Sequence, residues 1–528
     1  MVADTPIDQI APIHARLVAT QASGRTYPLE YRKTQLRKLY WAIRDNEHLA
    51  YKALKEDLGK PHFEAYMAEV GWMYKDILYA LEQVDKWAAP EGQPDLETLF
   101  KLLMSPSIRK EPIGTVLIIG AFNYPIQLVL SPLVGAIAAG CTAIIKPSEL
   151  CPKSATFLEK IVSRLDSDAY GTVLGGVPET TALLDLKWDK IMYTGSTGVA
   201  KIVTKAASKH LTPCLLELGG LNPVVVTANA DPKLAARRTL WTKVHNAGQI
   251  CIAADYALVH ASKEAAFTEA CVATLKEFLP NGPKDAEKMG RIVNERHFNR
   301  IKGLLDNSKG KIIYGGSTDP SRYWIEPTIV KVNSLDDALL SEEIFGPILP
   351  FYVYKGTVDE AIKISNSICD TPLGFYAFST DKQEQEYLLS HTRSGGASIN
   401  DCMFHASLAR LPFGGVGESG TGNYRGKASF DAFTHRRTTI TQPSWTEKQM
   451  RMRYMPYTLE SAKQYKRANP IPEPNFDRNG NVVKRGIIAT ILSLGASNRK
   501  SAIIRYIIAI VGMYYASVLI LQRGSTEK

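Results

Sequence analysis

Apolar positions recur at helical spacing over the first ninety residues and in short β-branched runs after them. The stretches TQLRKLYWAIRDNEHLAYKAL and AYMAEVGWMYKDILYALEQVDKWA place apolar side chains every three or four positions, which predicts helices between residues 8 and 90. From Pro112 onward, short apolar strands such as GTVLIIGAF, TAIIKP and KIMYTGS alternate with helix-like segments. This alternation predicts a parallel, doubly wound α/β sheet with a nucleotide-sized crevice at the carboxyl ends of its strands.

The same pattern divides the chain into segments. Residues 1–214 are expected to form the N-terminal helices and a Rossmann-like domain, and residues 215–400 a second α/β domain. Residues 401–446 are expected to return to the first domain. The polar, proline-rich stretch KRANPIPEPNFDRNGN predicts a linker over residues 447–485, which leaves residues 486–528 as a separate tail.

The tail is apolar and basic. Residues 506–521 are sixteen residues without a charge, which as a helix span about 24 Å at ~1.5 Å per residue, less than the ~30 Å hydrocarbon core of a bilayer. Arg505 can extend that span by reaching the interface. We expect the tail to anchor the chain in a membrane, with the folded body facing the cytoplasm. A helix lying on the membrane surface and a buried core helix are the alternatives.

The bulk composition is that of a folded globular protein. The chain has 528 residues, of which 45% are hydrophobic and 22% charged. Its seven cysteines are scattered and contain no CxxC pair, which suits a reducing compartment and argues against zinc or thioredoxin-like sites. The histidines are scattered as well, so no metal site is predicted. The N-terminus lacks a basic segment followed by an apolar run, so a secretory signal is not expected.

The net charge of +10 is concentrated at the C-terminal end. Residues 447–528 contain fourteen lysines and arginines against five aspartates and glutamates, a net +9, which leaves +1 for the first 446 residues. Nucleic-acid binding would need a basic face on the folded body. The distribution therefore argues against a nucleic-acid partner and fits attraction to a membrane surface.

Three positions carry groups suited to acyl chemistry. Cys251, in NAGQIC, is a candidate nucleophile whose pKa would have to be lowered by local dipoles or charges, and Gly248 before it permits a close backbone approach. Glu217 ends the apolar strand of LLELGG, where burial would raise its pKa and suit it as a general base. Asn123 follows VLIIGAF and could donate to an oxyanion together with the Cys251 amide. Taken singly, each residue is more often structural: a buried cysteine, a surface glutamate, a turn-forming asparagine.

Seven ordered motifs give the chain a resemblance to a known family. GAFNYP, IIKPSE, YTGSTGVAK, LELGG, NAGQIC, EEIFGP and LPFGGVGESGTGNYRG resemble the aldehyde dehydrogenase superfamily, from about Asp8 to Trp445. The continuation GNYRGKASFDAFTHRRT is similar to the class 3, fatty aldehyde branch. The long tail resembles that of the fungal enzymes which oxidise apocarotenals such as β-apo-4′-carotenal in neurosporaxanthin synthesis.

The resemblance implies NAD(P)-dependent oxidation of a long apolar aldehyde to its acid. Cys251 would attack the carbonyl, Asn123 and the Cys251 amide would hold the oxyanion, and Glu217 would activate water against the thioester. Long-chain fatty aldehydes are the alternative substrates. A non-catalytic binding or structural homologue, and an acyl hydrolase using the same thiol, are the alternative functions.

The resemblance also implies where the cofactor and the partner subunit bind. It assigns the cofactor to Lys146, Glu149, Gly195, Ser196, Glu343 and Phe345. A carboxylate at position 149 would repel a 2′-phosphate, partly offset by Lys146, so we expect NAD to be preferred and NADP accepted. The family resemblance further implies a homodimer with a small β oligomerisation element near residues 93–108 and 437–443.

Three positions depart from the family pattern, and two motif matches are misleading. Leu221 stands where a lysine is expected, Ala200 where a glycine is, and His245 where an aromatic residue or Met is common. Residues 415–420 satisfy GxGxxG but lack the preceding buried strand and following helix of a dinucleotide fingerprint. Residues 195–201 approach a P-loop, which the alanine at position 200 excludes.

Overall fold

Two sheets and a group of N-terminal helices make up most of the structure. The computed structural model describes residues 3–92, 96, 101, 104–469, 471–472, 474–483, 503, 505–511 and 513–514. The chain forms two units, one of Met1–Gly92 with Ser107–Thr439 and the other of Gln93–Pro106 with Ile440–Lys528. The α-helices of the first unit are Ile7–Ala22, Leu29–Asp45, Glu47–Leu58, His62–Ala65, Gly71–Ala88, Gln127–Ala139, Pro152–Val162, Val177–Leu184, Thr197–Ser208, Pro232–Val244, Glu264–Phe278, Glu295–Asn307, Val358–Ile368, Lys382–Ser390 and Gly426–Ala432.

The strands of the first unit are numbered in chain order. They are β1 Ser107–Pro112, β2 Thr115–Ile119, β3 Thr142–Lys146, β4 Tyr170–Thr172, β5 Lys190–Thr194, β6 Cys214–Glu217, β7 Pro223–Val226, β8 Tyr256–His260, β9 Lys311–Tyr314, β10 Thr318–Asp319, β11 Trp324–Ile325, β12 Thr328–Lys331, β13 Ile348–Tyr354, β14 Gly374–Phe378, β15 Gly396–Ile399, β16 Gly420–Thr421 and β17 Thr434–Thr439.

The helices predicted between residues 8 and 90 are confirmed. Their apolar faces meet in one core that they share with the first sheet, where Leu39, Ile43, Met73 and Ile77 are fully buried. A π-helical turn, Tyr66–Val70, interrupts the helical run. Such turns are uncommon and often mark functional sites.

The first sheet has six strands in the order β16-β6-β5-β2-β3-β4, all parallel except β16. Every residue of β2 and β3 is buried, as expected of β-branched runs covered by helices on both faces. The chain runs from β2 outward to β4 and then crosses back to β5 on the other side of β2. This reversal makes a topological switch point between β2 and β5, the place where α/β sheets bind ligands.

The second sheet has seven strands in the order β15-β14-β7-β8-β13-β12-β9. Its strands are parallel except for the edge strand β9. The run of valines in β7 is entirely buried between apolar clusters on the two faces. The predicted α/β class is therefore confirmed, with antiparallel strands at the edges of both sheets.

Strands β1 and β17 form a separate antiparallel pair, in which Ser107 lies opposite Thr439 and Pro112 opposite Thr434. The middle of β17 is exposed. The β element expected near residues 93–108 and 437–443 overlaps these strands only at their ends, and most of residues 93–103 lies outside the described part of the chain.

The second unit contains a helix that the sequence argument missed. Leu459–Ala468 is helical, begun by the Thr458 side chain, which accepts a hydrogen bond from the Ser461 amide. The proline-rich composition of its neighbours hid the helix-forming residues inside the expected linker. The expected membrane tail, residues 486–528, lies largely outside the described residues. Within the described ones, helices fall short of the length and apolar content needed to cross a bilayer.

Candidate active site

A cavity of about 1010 Å³ opens at the carboxyl ends of β2, β5 and β6. It lies at the switch point that the strand order creates, where the loops after β2 and β5 diverge. All nine residues selected from the sequence line it: Asn123, Lys146, Glu149, Gly195, Ser196, Glu217, Cys251, Glu343 and Phe345.

Asn123 is fixed at its side chain and at its backbone. It is 2% exposed and lies in the loop that follows β2. Its side-chain nitrogen donates to the Gln249 carbonyl at 3.1 Å. Its own carbonyl accepts from Lys60 Nζ at 2.7 Å and from Asn246 Nδ2 at 2.9 Å. One side-chain N–H is thus bound to the loop that leads to Cys251, and the amide has a second N–H to offer a ligand.

The loop before Cys251 is held in a left-handed conformation. Asn246 and Ala247 have φ of +50° and +53°, and Gly248 has φ of +71°. A Cβ at Gly248 would collide with the Gly346 carbonyl, so the glycine allows this loop to pack closely against the EEIFGP segment. The close approach is to that segment rather than to the Cys251 sulfur. Two non-glycine residues in this conformation store strain of the kind found at functional sites.

The backbone of Cys251 offers a hydrogen-bond donor. Its amide N–H makes no hydrogen bond to any described residue. Together with the second N–H of Asn123, it provides the pair of donors that an oxyanion requires.

Glu217 ends β6 and is 1% exposed. Within the described chain, neither of its carboxyl oxygens has a hydrogen bond of good geometry, although the Cys251 thiol lies close enough to interact with it. Burial raises its pKa to about 8, against the opposing effects of Arg425 and of the thiol. The direction is the one expected for a buried strand end, and it suits a base working near neutral pH.

The thiol of Cys251 contradicts the expectation of a lowered pKa. Burial raises its pKa well above the usual value, and the Glu217 and Glu343 carboxylates raise it further. The Arg425 charge acts in the opposite direction but does not outweigh them. The expected lowering is wrong because the local sequence does not contain the carboxylates that folding places beside the sulfur.

Lys146 and Glu149 form an ion pair at the end of β3. Lys146 is 3% exposed and its Nζ lies 2.7 Å from Glu149 Oε2. Burial acts to raise the pKa of Glu149, but the hydrogen bond and charge of Lys146 outweigh it and hold that pKa below its usual value. The pair presents an ionised carboxylate and an ammonium side by side, which suits a vicinal diol.

Gly195 and Ser196 begin the segment after β5. A Cβ at Gly195 would overlap the Tyr193 ring, so an internal contact already requires the glycine. The Ser196 hydroxyl caps the helix Thr197–Ser208 by accepting from the Val199 amide at 3.5 Å. The helix N-terminus, with its positive dipole end, therefore lies at the cavity.

Glu343 and Phe345 come from the second sheet's side of the cavity. The Glu343 carboxyl fits against Gly219, where a Cβ would displace it. Its Oε1 has no hydrogen-bond partner among the described residues. Phe345 has φ of +49° and its ring lies 5.7 Å from that of Phe122 in an edge-on contact. A buried carboxylate oxygen without a partner beside an aromatic wall suits a ligand with sugar hydroxyls and a planar ring.

Comparison with known proteins identifies the family. Residues 9–439 match the aldehyde dehydrogenase family. The chain belongs to that family. It is 46% identical over 524 residues to beta-apo-4′-carotenal oxygenase of Neurospora crassa, covering 98% of both chains. It is 40% identical over 451 residues to the dimeric NADP-preferring aldehyde dehydrogenase of Canis lupus familiaris, covering 85% of this chain and 98% of that one.

A solved structure supports the same conclusion. The substrate-bound state of Staphylococcus aureus AldH is 40% identical, with a TM-score of 0.79, and the match covers 83% of this chain and 95% of that one. The protein is thus an NAD(P)-dependent aldehyde dehydrogenase.

The structure of this aldehyde dehydrogenase adds residues that sequence motifs did not reveal. The helix Glu295–Asn307 brings Arg296, His297 and Arg300 to the cavity. Arg300 donates to the Glu343 carbonyl at 3.1 Å and so fixes the backbone of that motif. Burial and the two arginines lower the pKa of His297 to about 4, which leaves it neutral. No recognisable spacing marks these residues, because only tertiary packing joins their helix to the crevice.

Arg425 lies inside the GNYRG motif, but the motif alone assigns it no role, and its burial is visible only in the structure. It is 6% exposed, and its guanidinium lies 4.4 Å from the ring centroids of both Trp72 and Phe413. Within the described residues it forms no ion pair and donates instead to the Ala406 carbonyl. The aldehyde dehydrogenase thus has a buried positive charge whose field reaches Glu217 and Cys251.

The three departures from the family pattern occupy different environments. Leu221 lines the cavity and packs against the second sheet's core. Ala200 is buried in the cluster beneath the first sheet. His245 is buried, stacks on Trp241 with ring centroids 5.4 Å apart, and places Nδ1 3.5 Å from Glu64 Oε1.

Proposed function

We propose that this enzyme oxidises a long apolar aldehyde to its carboxylic acid through a thioester on Cys251, with an apocarotenal such as β-apo-4′-carotenal as the substrate. The observation that supports it most is that Cys251, Glu217 and Asn123 line one cavity together with the six candidate cofactor residues. A nucleophile, a separate base and an oxyanion donor around one crevice are the groups that such a reaction needs.

The first half of the reaction is assigned to Cys251 and Asn123. The Cys251 thiol first loses its proton to water. The sulfur then attacks the aldehyde carbon and forms a thiohemiacetal, while the Cys251 amide and the second N–H of Asn123 donate to the oxyanion. Hydrogen bonds stabilise that oxyanion yet allow it to collapse, which a tightly held charge would not. The six cofactor residues would hold NAD or NADP, whose nicotinamide ring would accept the hydride that leaves the thiohemiacetal.

The second half is assigned to Glu217. Collapse of the thiohemiacetal leaves a thioester. The ionised Glu217 carboxylate takes a proton from a water molecule as the water oxygen attacks the thioester carbonyl carbon. The tetrahedral adduct then expels the Cys251 thiolate and releases the free acid. A base separate from the nucleophile allows water to be activated only after the hydride has left.

The substrate assignment rests on the apolar surroundings of the sulfur and on a relative. Cys251 packs against the same apolar core as Tyr124 and Trp241, between the buried Ile250 and Ile252. The Neurospora crassa protein named for β-apo-4′-carotenal matches the chain over nearly its whole length. A conjugated aldehyde with few polar groups would be recognised mainly by such apolar walls.

The cofactor preference proposed is NAD over NADP. The ionised Glu149 would repel a 2′-phosphate, and this favours NAD. Arg296 lines the same cavity and acts electrostatically on Glu149, which gives a cation that makes NADP tolerable.

An aldehyde panel tests the proposal. Turnover is followed by NADH absorbance with acetaldehyde, hexadecanal and β-apo-4′-carotenal, and we expect the highest kcat/KM with the apocarotenal. Highest efficiency with hexadecanal would favour the fatty aldehyde alternative, and preference for acetaldehyde would contradict an apolar substrate. Cys251→Ala should abolish turnover, whereas Cys369→Ala, another thiol of the same cavity, should not. Turnover by Cys251→Ala would exclude a mechanism through a thioester on Cys251. Inactivity of the unmodified enzyme with every aldehyde would favour a binding role.

The C-terminal tail and strands β1 and β17 carry two further parts of the proposal. We infer that the tail holds the enzyme at a membrane, with the folded body on the cytoplasmic side. We also infer that the exposed strand β17 of the β1–β17 pair contributes to a homodimer. Cosedimentation of the full chain with anionic vesicles should be reduced by Val511→Arg but not by Val482→Arg. Light scattering should give the mass of two chains, and a monomer would contradict the dimer.

A further inference from the structure

The loop that carries Asn123 is held from the other side by a buried ion pair. We infer that Lys60 and Glu69 are positioning residues that fix the Asn123 amide for the oxyanion. The inference rests on the proposed function, since it assumes that Asn123 acts on the reacting oxygen. Neither residue touches the cavity, so any effect on catalysis has to pass through the loop.

Lys60 approaches the loop directly. It is 2% exposed, and its Nζ lies 2.5 Å from Glu69 Oε1 and 2.7 Å from the Asn123 carbonyl oxygen. The same ammonium lies 4.1 Å from the centroid of the Tyr124 ring. One cation therefore contacts the backbone of Asn123 and the side chain of the residue after it.

Glu69 fixes the other end of the same loop. It is fully buried in the π-helical turn Tyr66–Val70. Its Oε2 accepts from the Ile126 amide at 2.9 Å and from the Gln127 amide at 3.1 Å. Ile126 directly precedes helix Gln127–Ala139 and Gln127 begins it, so the carboxylate caps that helix. The wider turn places Glu69 where one oxygen meets Lys60 and the other meets the helix.

The pair thus clamps the loop at Asn123 and at residues 126–127. At the first of these points, the Asn123 side chain is oriented by the hydrogen bond that it donates to the Gln249 carbonyl. An oxyanion donor that moves by about 1 Å can lose on the order of a hundredfold in rate. A buried ion pair without a catalytic contact gives little net stability by itself, which makes positioning a physical reason for its presence.

A double-mutant test separates positioning from general stability. Lys60→Met removes the ammonium and keeps the length of the side chain, and Lys302→Met, at an exposed ion pair, is the matched control. Each is made with Asn123 present and in the Asn123→Ala background. Aldehyde oxidation rates, NAD binding by fluorescence and melting temperatures are measured for all.

Non-additivity is the expected result. Lys60→Met should lower kcat about ten- to a hundredfold with Asn123 present and less than about twofold in the Asn123→Ala background, since the group it positions is then gone. NAD affinity should not change. Lys302→Met should have no effect in either background.

A second variant covers loss of the fold. If Lys60→Met does not yield folded protein, Glu69→Gln takes its place, because the amide retains an oxygen for Ile126 and Gln127 but lacks the charge that holds Lys60. An equal loss of kcat in both backgrounds would overturn the positioning role alone. If Asn123→Ala by itself leaves kcat unchanged, the proposed function of Asn123 fails, and this inference fails with it.

Discussion

The carboxyl group of Glu217 lies beside the thiol of Cys251; Glu217 is buried and Cys251 is half-buried. Burial is the largest cause of the raised pKa of the thiol, and the neighbouring carboxylate is the next largest. Burial also raises the pKa of Glu217, to about 8. At neutral pH both groups are therefore mainly protonated.

Separation of the two half-reactions is the first prediction. Glu217→Gln should release about one NADH per active site and then stall on the thioester, with steady turnover reduced about 10²- to 10⁴-fold. Stopped-flow absorbance measures the burst and the slow phase together. Glu418→Gln, a carboxylate of the same cavity, should turn over normally. Sustained turnover by Glu217→Gln at the unmodified rate would exclude it as the base.

The pH dependence of thioester hydrolysis is the second prediction. A base with a pKa of about 8 is protonated below that pH, so the hydrolysis rate should rise with pH and level off above about 8. Rapid quench of the acyl-enzyme between pH 6 and 9 measures it. The rise should vanish in Glu217→Gln, and a flat profile in the unmodified enzyme would contradict the assignment.

The charge of Arg425 should determine the midpoint of the pH profile of thioester hydrolysis. Its positive charge lowers the pKa of Glu217 and of Cys251. Arg425→Met keeps apolar packing against Trp72 and Phe413 but removes the charge, so the midpoint should move upward by roughly one pH unit. Arg425→Lys should move it less. Arg410→Met, which removes a guanidinium stacked on Tyr79 at 4.9 Å, should leave it in place. An unmoved midpoint in Arg425→Met would show that its charge does not reach the base.

The cofactor preference should respond to Glu149. Removing the carboxylate charge with Glu149→Gln eliminates repulsion of a 2′-phosphate, so the ratio of kcat/KM for NADP over NAD should rise about tenfold. Glu342→Gln removes a carboxylate elsewhere in the cavity and should leave the ratio unchanged. If Glu149→Gln left the ratio unchanged, a group other than Glu149 would determine the cofactor selectivity.

A buried aspartate away from the cavity should govern stability against pH. Burial raises the pKa of Asp76 from 3.8 to about 6, only partly offset by the Ser131 hydroxyl. Because the pKa of Asp76 is higher in the folded than in the unfolded state, the contribution of Asp76 to the free energy of unfolding is fully present below about pH 4. This contribution, about 3 kcal/mol, is lost as the pH rises through 6. Asp76→Asn should flatten this part of the melting-temperature profile between pH 4 and 7. Asp336→Asn, at an exposed position, should leave the slope of the melting-temperature profile unchanged. An unchanged slope in Asp76→Asn would contradict the role of Asp76.

The sequence could predict elements whose signal is local. The apolar periodicity of the N-terminal helices and the continuous β-branched runs of β2 and β3 each reflect the burial of one element, so both were predicted correctly. The helix Leu459–Ala468 was missed because the prolines beyond it dominated the local composition. Strands β1 and β17 were placed imprecisely, since exposed two-stranded pairs carry little hydrophobic pattern.

The residues of the cavity divide along the same line. Nine candidates lay in motifs whose order along the chain identifies them, so the sequence by itself determined the family and selected nine residues that fold around one cavity. The protonation of Cys251, the buried charge of Arg425, the arrival of Arg296 and the Lys60–Glu69 pair behind Asn123 were decided only by the tertiary structure. Burial and charge at a site are sums over neighbours that come from distant parts of the chain, and no local pattern contains those sums.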